Sequence, residues 1–91
     1  MKTLADFKRA LTLGSKWHAM HASGQDIGIR TVAKVQTESV AFKRDDREEL
    51  SWVYFPKASL FSISESGEAL IYWPPRNEGE ERRLILTYRK V

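Results

Sequence analysis

From Ser15 onward the helical period is lost, and the chain runs as short stretches rich in Val, Ile, Trp, Tyr, Phe and Thr, separated by turn-forming clusters. The stretches fall at about 15–22, 28–36, 39–44, 50–55, 59–64, 69–73 and 83–90. Between them stand Ser23-Gly24-Gln25-Asp26, the charged run Arg44 to Glu49, Pro56-Lys57, Glu65-Ser66-Gly67-Glu68, and Pro74-Pro75 through Gly79. Spacings this short leave no room for crossover helices, so the pattern predicts an antiparallel meander. Ahead of it, Leu4, Phe7 and Leu11 recur at i, i+3 and i+7, Thr3 and Asp6 supply a capping-box start, and Gly14 supplies a stop. Residues 4–13 therefore read as one amphipathic helix, too short to stand alone in water, whose stripe must lie against a sheet or a partner.

Ninety-one residues suffice for one core. The expectation is a single α+β domain over residues 1–91, with the N-terminal helix packed on a strongly bent antiparallel sheet or small barrel of five to seven strands. The chain is 42% hydrophobic and 30% charged, too apolar for a disordered segment. No run reaches the roughly 18 apolar residues of a spanning helix, and Asp6, Lys8 and Arg9 interrupt any apolar leader, so a cytoplasmic setting is expected. Without cysteine, disulfides, thiolate nucleophiles and Cys-ligated metals are excluded, and the ten aromatic residues must supply most of the packing.

Period two assigns faces. Ile29, Thr31, Ala33 and Val35 are expected on one side of their strand, with Arg30, Lys34 and Gln36 on the other. Leu84, Leu86 and Tyr88 are set against Arg83, Ile85, Thr87 and Arg89. Leu50 to Phe55 is apolar on both faces, which predicts a central strand covered on both sides.

Catalytic patterns are missing from the sequence. His18 and His21 lie three apart, on opposite faces of a strand, which disfavours a shared metal. The acidic pairs Asp45/Asp46, Glu48/Glu49 and Glu80/Glu81 fall in charged turns, where neither burial nor a pocket would shift a carboxyl pKa. There is no G-x-S-x-G elbow and no phosphate-binding glycine loop. The expectation is a non-enzymatic domain with no cofactor and no metal.

Binding is the remaining class. The net charge of +3 is mild: residues 1–43 carry seven basic and three acidic side chains, residues 44–91 eight and nine. Basic and aromatic residues are interleaved, however, at Lys16, Trp17, Arg30, Lys34, Lys43, Tyr88, Arg89 and Lys90. On a curved sheet, such residues would contact a partner, and exposed aromatics beside cations would suit RNA or single-stranded DNA. The favoured expectation is a small interaction domain engaging a protein partner or a second copy of itself, through an exposed apolar patch or an unpaired edge strand. Nucleic-acid binding through a basic-aromatic sheet face is the alternative, and it asks for several of those cations on one face with Trp17, Tyr54 or Tyr88 exposed. Tyr72-Trp73-Pro74-Pro75 reads either as a ligand surface or as a strand end stopped by proline.

Overall fold

The computed structural model describes residues 2–91. Helix α1 (Leu4–Ala10) is followed by seven strands: β1 (Lys16–His21), β2 (Asp26–Val35), β3 (Ser39–Lys43), β4 (Leu50–Tyr54), β5 (Phe61–Ile63), β6 (Ala69–Trp73) and β7 (Arg83–Lys90). They form one antiparallel sheet in the order β4-β3-β2-β1-β7-β6-β5. The expected α+β architecture is thus present, with the sheet left open at β4 and β5.

The helix starts where Thr3 and Asp6 place it. The Asp6 N–H donates to Thr3 Oγ1 at 3.2 Å, while the Asp6 carboxylate accepts from the Lys2 and Thr3 N–H groups and pairs with Arg9. The Lys2 N–H, then Arg9, hold the Asp6 pKa down at about 2. The folded value lies below the ordinary carboxylate value near 3.9, so this contribution is present above about pH 4 and is lost as pH falls towards 2. Protection of the Leu4–Ala10 amides, relative to the unprotected rate at each pH, should fall across that window, and in Asp6→Asn the pH-dependent step should vanish. The helix ends three residues short of expectation. Leu11 leaves helical geometry, and Thr12 to Ser15 close a turn with Gly14 at φ 83°, a conformation that side chains with a Cβ resist.

The two edges of the sheet are consecutive in the chain, and that makes the sheet curl. Seven strands laid flat would separate β4 from β5 by about 29 Å at roughly 4.8 Å per strand. The seven residue steps from Tyr54 to Phe61 span about 25 Å at full stretch, and they include a 3₁₀ turn over Ala58–Leu60 that shortens the reach. The linker therefore draws the edges towards each other and makes an inner and an outer face.

The inner face holds the core. Trp17, Ala19, Val32, Val40, Phe42, Phe61, Ala69, Ile71 and Tyr88 are buried there with Phe7 from α1 and Leu11 just after it. Phe7 meets Trp17 edge-on at 5.4 Å, stacks on Phe61 at 5.4 Å and tilts against Tyr88 at 6.2 Å; Phe42 stacks on Tyr88 at 5.5 Å. One helical side chain thereby joins β1, β5 and β7.

Three sequence expectations are corrected. Leu50–Tyr54 is not a central strand covered on both sides: β4 pairs only with β3, and Leu50, Trp52 and Tyr54 are exposed. Apolar side chains on both faces look alike in sequence whether a second layer or solvent meets the outer one. The strand closed on both sides is β3, where Ser39, Val40, Ala41 and Phe42 are all buried. The faces of β2 also differ: before Ala33 the side of Ile29 and Thr31 is the outer one, with Ile29 exposed and Arg30 opposite Trp17, and a bulge at Ala33 then changes register, so that Val32 pairs with Phe42 and is buried while Lys34 pairs with Ala41 on the outer face and Val35 with Val40 on the inner one. A further irregularity, between Ile71 and Tyr72, lets Ile85 and Leu86 both pack on the core instead of facing apart.

Candidate functional site

Residues directly opposite in an antiparallel sheet share a face, so the registers locate each candidate contact residue. Lys16 pairs with Thr31 and Thr31 with Lys43; His18 pairs with Arg89; Lys34 pairs with Ala41. Lys16, Lys34, Lys43 and Arg89 therefore share the outer face. Trp17 and Tyr88 belong to the inner face, at 0% and 4% exposure, and are core residues unavailable for stacking a ligand. Arg30 lies opposite Trp17, half-buried, its Nη1 donating to the Ile29 carbonyl at 3.2 Å. Burial pushes the Tyr88 hydroxyl pKa upward, and the positive charge of Arg30 opposes that shift. Lys90 lies opposite Trp17 and is exposed. The eight residues thus divide between two faces.

The outer face is only partly basic. Lys16 Nζ reaches the Asp45 carboxylate at 3.2 Å and bonds Thr31 Oγ1 at 3.1 Å, and this contact lowers the Asp45 pKa. His18 Nε2 bonds Asp26 Oδ1 at 2.7 Å, which also accepts the Gly28 N–H at 2.8 Å; His18 leads the causes that lower the Asp26 pKa. His21 bonds Ser23 instead, at 2.8 Å, so the two histidines are engaged separately. An open depression of about 200 Å³ lies on this face, lined by His18, Met20, Glu68, Thr87 and Arg89. No group of three or more His, Asp or Glu side chains converges as a metal site among the described residues, and no described helix is long and apolar enough to cross a membrane.

Beside these cations lies the feature that sequence reading took for core. Leu50, Trp52 and Tyr54 alternate along β4 and so share its outer side, with Trp52 44% and Tyr54 77% exposed. Trp52 lies opposite Ala41, which is fully buried between Trp52 and Lys34 across the strands. The backbone adds to the side chains. The Phe55 N–H donates to the Glu38 carbonyl at 2.9 Å, so by antiparallel alternation Ser51 and Val53 also turn their polar groups towards β3. The N–H and C=O groups of Leu50, Trp52 and Tyr54 consequently point away from the sheet.

The opposite edge offers much less. β5 is three residues long, and Arg82 Nη1 donates to the Ser59 carbonyl at 2.7 Å while its guanidinium covers the Tyr72 ring at 4.0 Å. The Tyr72 hydroxyl bonds Ser62 Oγ at 2.9 Å, and Trp73, 54% exposed, ends β6 before the two prolines. Trp73 is a lone exposed ring, whereas β4 presents three apolar side chains and a free backbone edge together. A proline or an inward charge within β4 would have signalled an edge, and the strand has neither. No protein-family model matches the chain, and no curated protein or solved structure matches it either.

Proposed function

We propose that this is a non-enzymatic protein-interaction domain that receives an extended segment of a protein partner along β4. The observation that carries the reading is the coincidence, on one unpaired strand, of outward backbone donors and acceptors with the exposed stripe Leu50, Trp52 and Tyr54. Added strands gain affinity from main-chain hydrogen bonds and selectivity from alternate side chains, and β4 offers both. The nucleic-acid alternative keeps Lys34, Lys43 and Arg89 on the outer face and Tyr54 exposed, but loses Trp17 and Tyr88 to the core and has Lys16 engaged by Asp45, so less of the face is left to track phosphates.

Backbone exchange separates the two. A series of extended peptides of about ten residues, alternating apolar and polar side chains, should slow exchange at the Leu50, Trp52 and Tyr54 amides, with Trp52→Lys weakening the effect. With the chain dilute enough to be monomeric, amides that exchange freely and stay unchanged throughout the series would overturn the edge reading. Labelled RNA and single-stranded DNA, at roughly 50 and 200 mM salt, should show no saturable salt-steep binding. Saturable binding lost in Lys34→Glu would replace a protein partner with a nucleic acid.

A further inference from the structure

We infer that the strand received at this edge is β4 of a second copy, paired antiparallel about a twofold axis at Val53; the inference rests on the edge reading proposed above. Only registers that oppose even-numbered residues to even-numbered residues keep the outer faces together. Of these, the one centred on Val53 sets Trp52 against the second copy's Tyr54, Leu50 against its Pro56, Ser51 against its Phe55 and Glu49 against its Lys57. Symmetry repeats each pair. The register centred on Trp52 instead opposes Arg47 to Lys57 and buries Glu49 against Phe55, and the one centred on Ser51 opposes Glu49 to Val53. Charge complementarity selects Val53, because Glu49 and Lys57 are both exposed and neither has an ion-pair partner among the described residues.

The backbone fits the same choice. Trp52 and Tyr54 both turn their N–H and C=O outward, so each cross-copy Trp52–Tyr54 pair exchanges two hydrogen bonds. At the ends of the seam Leu50 gives its N–H to the Pro56 carbonyl, and the Leu50 carbonyl, which Pro56 has no N–H to meet, is left to water. The chain is suited to this extension: Phe55 continues the pairing with β3, and Lys57 remains extended at φ −64°, ψ 152°. Two curled sheets would join into one fourteen-stranded sheet, with the tryptophan and tyrosine side chains alternating across the seam.

Sedimentation equilibrium of the full chain from about 1 µM to 1 mM, with charge-exchange variants, tests this. One mass should give way to its double. Glu49→Lys and Lys57→Glu should each weaken the dimer by roughly tenfold, since each creates two like-charge pairs, and the double variant Glu49→Lys/Lys57→Glu should recover it. Trp52→Lys should weaken it by roughly a hundredfold. All the charge sites are on the surface, and an unchanged far-ultraviolet spectrum shows that the variants fold. A chain that stays monomeric, or a dimer indifferent to the charge variants, overturns the inference. Monomers that still protect the β4 amides with peptide leave the edge reading standing, and monomers that bind no peptide remove both.

Discussion

Replacing Trp17 by alanine should cost about 3–5 kcal/mol, the range for removing a fully buried large ring. A domain of this size holds on the order of 5–15 kcal/mol of stability, so much of the margin would go. Trp17 is completely buried, touches Phe7 edge-on and donates from Nε1 to Ser15 Oγ at 3.0 Å. Trp17→Phe, which keeps a ring and loses that hydrogen bond, should cost less, about 1–3 kcal/mol. Urea unfolding checks both, with the midpoint moving and the slope unchanged. A Trp17→Ala midpoint equal to that of the parent would mean that the ring is not in the core.

The second large effect should come from the helix. Phe7→Ala removes the side chain that meets Trp17, Phe61 and Tyr88 at once, for a loss of about 3–5 kcal/mol. Seven residues form about two turns, and so short a helix is not stable in water without tertiary support. Its capping box and the Lys8 ammonium 4.8 Å over the Phe55 ring remain, but they are surface contacts of small worth. Exchange at the Leu4–Ala10 amides should therefore rise towards the unprotected rate while the β1–β7 ladder stays protected. If both regions lose protection together, α1 and the sheet form one cooperative unit, and the expectation of separate opening is wrong.

These two rings show what could and could not be read from the sequence. All seven strands were legible, because glycine, proline or charge clusters mark every turn but Gln36-Thr37-Glu38 and β-branched or aromatic residues fill what lies between. The Thr3–Asp6 start of the helix was legible for the same local reason. Strand order was not. Nothing within Arg83–Lys90 says that it will lie between β1 and β6, and nothing within Leu50–Tyr54 says that it will lie at an edge. The site suffered accordingly. Lys16-Trp17-His18 and Tyr88-Arg89-Lys90 read as mixed surface, although alternation alone already separates Trp17 from Lys16 and Tyr88 from Arg89; what was missing was which side faced the helix. Bulges added a further error, since one extra residue at Ala33 reverses the side on which every later residue of β2 is expected.

The place of β7 bears on how the molecule is made. It follows the other six strands in chain order, yet it lies between β1 and β6 and is, among the described residues, the strand through which the β1–β4 and β5–β6 groups are hydrogen-bonded into one sheet. During synthesis the first four strands can pair as they emerge, while the β5–β6 hairpin has no strand of that group to pair with until β7 follows, only the Phe7 ring to pack on. The pairing of Trp17 with Lys90 then closes a loop of nearly the whole chain, a contact whose entropy cost is met late and which slows folding. Until β7 has emerged and paired, the aromatic side of the nascent sheet lacks Tyr88 and the β1–β4 and β5–β6 groups stay unjoined, the stage at which wrong association is most favoured.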